Sequence, residues 1–157
     1  MRFFIDISYD GTNYHGWQVQ PNADTVQNQI NTALSTILNE KISVVGAGRT
    51  DTGVHAKQLI AHFDFNNSFD IKKTKYKLNG FLNNDISINN IFHVNDDAHA
   101  RISAISRTYQ YKISKSKDPF SSQSYLLKRN LDLESMNKAC QFLIGENDYS
   151  CLLYTSP

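Results

Sequence analysis

Cysteine is nearly absent from this sequence. Cys140 and Cys151 are the only two among 157 residues, and neither belongs to a Cys-x-x-Cys pair or to any spacing that a zinc site requires. That sets aside a disulfide scaffold and a structural zinc module. Long apolar runs are missing as well. Charge interrupts the opening Met1-Arg2-Phe3-Phe4-Ile5-Asp6 before a signal-peptide core can form, and no later segment reads as a bilayer span, so a cytoplasmic protein is expected. There is no linker, low-complexity tract or internal repeat. With 40% hydrophobic and 11% aromatic residues the chain has the material for a core of its own, and one compact domain over residues 1–150 is the expected organisation.

Net charge is also nearly missing, at +1, but the balance is uneven. Between Lys72 and Arg129 eleven Lys or Arg face four acids (Asp85, Asp96, Asp97, Asp118), a local +7 that leaves the remainder at about −6. A basic stretch in an otherwise neutral chain is what a phosphate-bearing partner requires, because Lys and Arg replace the counterions condensed on a nucleic acid. A solvated face with no partner has the same composition.

Periodicity gives a coarse order of elements. Residues 3–9 read as a strand that ends in the turn chemistry of Asp10-Gly11-Thr12-Asn13. Over 25–39 the apolar residues Val26, Ile30, Ala33, Leu34, Ile37 and Leu38 share one helical face, with Asp24 as the predicted N-cap and Gln27 returning the bond. Short strands are predicted over 42–45 and 58–65, and a weaker helix over 72–82 with Leu78, Phe81 and Leu82 as its apolar side. Strands over 86–94 and 108–113 follow, the second alternating Tyr109, Tyr111 and Ile113, and then a helix over 133–144 capped by Asp132. Several strands succeed one another with no helix between them. The pattern fits an α+β protein, with an antiparallel sheet and helices on one face, better than a doubly wound sheet.

The densest polar stretch between apolar strands is Gly46-Ala47-Gly48-Arg49-Thr50-Asp51-Thr52-Gly53-Val54-His55. Its glycines permit tight turns and close approach of a ligand, but the Lys-Ser/Thr of a phosphate-cradling loop is missing. Arg49 stands two residues before Asp51. Paired with an arginine, an aspartate stays ionised at neutral pH, which suits a nucleophile or a base and not a general acid. An ordinary loop ion pair would read the same way. His15, His55, His62, His93 and His99 show no common spacing, and Trp17 reads as a buried anchor as readily as a stacking platform.

The string from Gly48 to Ala56 closely resembles the Gly-Arg-Thr-Asp-x-Gly-Val-His-Ala signature of TruA-type tRNA pseudouridine synthases. Tyr9-Asp10-Gly11-Thr12-Asn13-Tyr14-His15-Gly16-Trp17-Gln18 is similar to the family's opening motif. Thr25-Val26-Gln27, Phe92-His93-Val94, His99-Ala100-Arg101, Arg107-Thr108-Tyr109-Gln110-Tyr111 and Gly145-Glu146-Asn147-Asp148-Tyr149 follow in the family's order. The resemblance implies a ferredoxin-like pseudouridine synthase fold, of which this would be the N-terminal part. It implies isomerisation of uridine to pseudouridine at positions 38 to 40 of the tRNA anticodon arm, with no metal and no organic cofactor. Asp51 would be the catalytic carboxylate, with Arg49 holding it and filling the space of an extruded base. Tyr109 would lie against the flipped uracil, and Gly48, Thr50, Gly53 and His55 would support the loop. Whether the carboxylate attacks sugar, attacks base or removes a proton stays open at this stage.

Family members continue into a second half that supplies another sheet layer and much of a homodimer interface. Residues 151–157 look unlike that continuation and read as an atypical tail on a truncated frame. Two further readings therefore stand beside the isomerase: a noncatalytic RNA-binding fragment that uses the basic stretch, and a small hydrolase in which Asp51 activates water with a metal or partner acid.

Overall fold

The structure is a computed structural model, and it describes residues 1–120, 123–145 and 148. The expected tail at 151–157 and part of the motif at 145–149 lie outside the described residues. The chain divides into two compact units, one from Met1 to Arg107 and a second from Thr108 onward.

The first unit grows from strict alternation in β1 (Arg2–Tyr9), which sends Phe3, Ile5, Ile7 and Tyr9 into the core and leaves their neighbours half-buried. β1 is flanked on both sides by antiparallel partners, β3 (Ala56–Asp64) and β4 (Ile86–Val94). The two-residue β2 (Val45–Gly46) pairs with β3, so the sheet order is β2-β3-β1-β4. Two helices supply the opposing apolar surface: α1 (Val26–Leu38) through Val26, Ile30, Ala33 and Leu34, and α2 (Ile71–Phe81) through Leu78 and Thr74. The unit is thus a mixed α and β layer structure around an antiparallel sheet, as the alternating periods predict.

The ends of these elements correct several expectations. Asp24 does not cap α1. Thr25 is the N-cap, its Oγ1 is buried with no hydrogen-bond partner, and the first-turn amides of Val26 and Gln27 donate instead to the carbonyls of Gly16 and Trp17. Gln27 bridges two loops, accepting from Val19 N at 2.9 Å and donating to Val44 O at 2.7 Å. The strand expected at 42–45 forms no ladder before Val45, because α1 side chains take its hydrogen bonds: Ile42 N donates to Ser35 Oγ (2.9 Å) and Val44 N to Asn31 Oδ1 (2.8 Å). Helix α2 begins one residue earlier than expected, capped by Asp70, and Phe81 is half exposed rather than apolar core. Asn79 ties α2 to β4, donating to Ile88 O (3.0 Å) and accepting from Ile88 N (2.8 Å).

In the second unit the expected strand at 108–113 shrinks to β5 (Ile113–Ser114), paired in parallel with β6 (Tyr125–Leu126). Alternation alone did not extend it, since Tyr109 and Tyr111 find no burial. α3 (Leu133–Cys140) is capped by Asp132, as expected, and its last turn tightens into a 3-10 turn over Gln141–Leu143. No helix among the described residues is long and apolar enough to cross a membrane.

Candidate active-site loop

The loop from β2 to β3 is held mainly through its backbone. Ala47 N donates to Ile60 O at 2.7 Å, and the Ala47 carbonyl accepts from Arg107 Nη2 at 2.9 Å. Further along, Trp17 N donates to the Thr50 carbonyl (3.0 Å), while the Tyr9 hydroxyl and Thr50 Oγ1 lie 2.8 Å apart. Trp17 and Tyr9 are themselves buried and stacked at 6.2 Å, so Thr50 hangs from the core. Gly16 permits this contact: its φ is +83°, and a Cβ there would overlap the Thr50 carbonyl.

After Thr50 the chain turns sharply. Val54 N donates to Asp51 O at 3.1 Å, and Gly53, at φ +78°, occupies the third turn position where a type II turn needs the left-handed region. Gly53 N donates to Tyr14 O at 3.2 Å. Tyr14 is fixed in turn by its hydroxyl, which donates to Asp85 at 2.6 Å; burial, reinforced by that carboxylate, pushes its phenol up to about 12. His55 closes the loop. Its Nδ1 lies 3.1 Å from Gly11 N and 2.9 Å from Asp10 Oδ1, and the two contacts are alternatives: neutral Nδ1 accepts from the amide, whereas protonated Nδ1 donates to the carboxylate.

Asp51 therefore sits between two backbone anchors, Thr50 on one side and the turn to Val54 on the other, with its side chain exposed. The pairing with Arg49 that the sequence predicts is not formed. Arg49 is also exposed, and no hydrogen bond or ion pair joins the two among the described residues. An exposed pair gains too little, about 0–1 kcal/mol, to repay the ordering of two side chains. Gly48, Thr50, Gly53 and His55 are brought together in this one loop. Tyr109 belongs to the second unit, where it is 80% exposed. The basic residues are also divided. Lys72, Lys73, Lys75 and Lys77 lie on α2, Arg101 and Arg107 lie in the segment after β4, and the others belong to the second unit.

Sequence reasoning missed the supports of the loop: Tyr9, Gly16 and Arg107. The opening motif from Tyr9 to Trp17 was legible as a string, but its contact with Thr50 is a tertiary pairing that spacing cannot show.

Comparison with known proteins bears on the same residues. A family profile described as tRNA pseudouridine synthase matches residues 6–103, which contain the whole loop and its supports Tyr9 and Gly16, but not Arg107. The chain is 47% identical over 150 residues to tRNA pseudouridine synthase A of Bacteroides thetaiotaomicron, an alignment that covers 95% of this chain and 56% of that protein. It is 47% identical over 153 residues to tRNA pseudouridine synthase A of Porphyromonas gingivalis (95% and 60%), and 43% identical over 158 to that of Azobacteroides pseudotrichonymphae (99% and 64%). The chain thus spans about three-fifths of the length of these relatives. The match over most of the first unit shows that this chain belongs to the tRNA pseudouridine synthase family.

Proposed function

We propose that this chain carries the catalytic loop of a cytoplasmic enzyme that isomerises uridine to pseudouridine in the anticodon arm of tRNA, at positions 38 to 40, with Asp51 as the catalytic carboxylate. The β-α-β-β-α-β element order and the β2-β3-β1-β4 sheet order support a ferredoxin-like description of its first unit. The observation that carries the reading is the presentation of Asp51. Its backbone neighbours are tied to Trp17, Tyr9 and Tyr14, while its carboxylate is exposed to a ligand. A preorganised group of this kind loses little freedom when a substrate arrives.

The reaction breaks the bond from uracil N1 to ribose C1′ and joins C5 to C1′; the proton on C5 is lost and N1 gains one. Asp51 acts on the sugar or on the base to start that exchange. The target base must leave its stack to reach the carboxylate. Arg49, unpaired with Asp51, serves as the wedge that fills the vacated space, and the exposed ring of Tyr109 serves as the stacking surface for uracil. The substrate's phosphates are met by basic residues of the stretch between Lys72 and Arg129, and the protein acts as a homodimer.

Asp51→Asn should abolish isomerisation while tRNA affinity stays within about twofold, since the substitution preserves shape and removes the reactive oxygen. Equal loss of binding would assign Asp51 to holding the loop instead. A second reading, a noncatalytic RNA-binding fragment, rests on the basic stretch between Lys72 and Arg129. It predicts salt-dependent binding with no product.

A further inference from the structure

Arg107 falls in the basic stretch by sequence, yet its side chain is turned onto the loop and joins it to the turn that follows β4. Its Nη2 donates to the Ala47 carbonyl at 2.9 Å and to the Arg101 carbonyl at 3.0 Å. Its Nε runs alongside Gly48, at van der Waals distance (3.7 Å) from where a Cβ would stand. The guanidinium therefore covers the two residues that lead into Arg49 and Asp51.

What lies behind Arg101 is firmly built. Ala100 N donates to Nδ1 of the buried His62 on β3 at 3.2 Å, and the His62 and His99 rings meet edge to face at 4.6 Å. His99 Nδ1 accepts from the amides of Arg101 and Ile102 (3.2 and 3.3 Å), and Ser103 closes the turn onto His99 from both sides. Arg2, bidentate to Asp64, adds a third bond to the Ala98 carbonyl at 3.0 Å. One end of the Arg107 bridge is thus fixed to the sheet, and the other is the catalytic loop.

Resting on the isomerase reading above, we propose that Arg107 is a positioning residue for Asp51, bracing the 46–51 segment against the 98–103 turn so that the carboxylate is presented in one place. The two carbonyls converge on a single nitrogen that carries two protons, and a charged donor strengthens both bonds. Ala47 is then held from both sides of its residue, through its amide by Ile60 and through its carbonyl by Arg107.

The test compares wild-type chain, Arg107→Ala and Arg107→Lys by amide hydrogen exchange and by turnover on an unmodified anticodon-arm RNA. Loss of two charge-assisted bonds should raise exchange across residues 46–54 about tenfold in Arg107→Ala, with β1 and α1 unchanged. Lysine, a charged donor of similar reach, should restore part of the protection. Turnover should fall by a similar factor in kcat, with KM and the salt dependence of binding preserved. Unchanged loop exchange in Arg107→Ala overturns the proposal whatever the activity shows. A raised KM with a salt slope lowered by about one, and no loop effect, overturns it also, and makes Arg107 a phosphate contact. A wild-type chain that yields no pseudouridine counts against the isomerase reading alone; the exchange comparison still decides Arg107.

Discussion

Three glycines separate the two costs that shape the loop. Gly16 has φ +83° and a neighbour, the Thr50 carbonyl, where a Cβ would stand. Gly53 has φ +78° with nothing within 4 Å, and Gly80, in α2, has neither a left-handed φ nor a neighbour. Alanine at Gly53 costs only the left-handed backbone, about 1–2 kcal/mol. At Gly16 the same penalty is joined by displacement of the Thr50 carbonyl and loss of its bond from Trp17 N, about 0.5–1.5 kcal/mol more, for a sum of about 1.5–3.5. Gly80→Ala gains about 0.5–1 kcal/mol from helix propensity. Urea unfolding followed by far-UV circular dichroism should place the midpoints in the order Gly80→Ala, wild type, Gly53→Ala, Gly16→Ala. Gly16→Ala unfolding together with Gly53→Ala would refute the reasoning, because it would mean that the Thr50 carbonyl does not depend on the space at Gly16.

Burial, assisted by Arg2 and His99, holds the His62 imidazole below its usual value, so the unfolded chain takes up the proton first as pH falls. The contribution of His62 is therefore fully present above about pH 6.5 and is lost as pH drops toward the lowered folded value. Melting temperature should decline between pH 7 and 5, and His62→Asn should flatten that decline; an unaltered slope would exclude His62 as its source. The Asp64 carboxyl, lowered chiefly by its hydrogen bond from Arg2, adds a separate loss only below about pH 4, where the unfolded carboxylate takes up its proton. Lys72, Lys73 and Lys77 stand exposed on α2, so changing all three to Gln should lower the slope of log affinity against log salt by about 0.7–0.9 for each lysine that meets phosphate. An identical slope would place the RNA elsewhere.

The sheet and both large helices of the first unit were legible because their apolar residues keep the periods of the elements: Phe3, Ile5, Ile7 and Tyr9 at two, and Val26, Ile30, Ala33 and Leu34 at three to four. What escaped is where distant groups intervene. The carbonyls of Gly16 and Trp17 took the capping role expected of Asp24, and Ser35 and Asn31 intercepted the amides of a strand expected from 42. Periodicity at Tyr109 and Tyr111 was real but unburied, so it produced no strand. Asp51 was readable only as part of a motif. Its environment, a loop hung from Tyr9 and Trp17 and braced by Arg107, depends on contacts between residues 33 to 60 positions apart.

Uridine gives up its C5 hydrogen when it becomes pseudouridine, so tRNA carrying tritium at C5 of its uridines reports the reaction directly. The account predicts that this chain releases tritium to solvent from the anticodon arm and that Asp51→Asn, still folded and still bound to RNA, releases none. Release by Asp51→Asn at the wild-type rate would contradict it and move the chemistry to another residue.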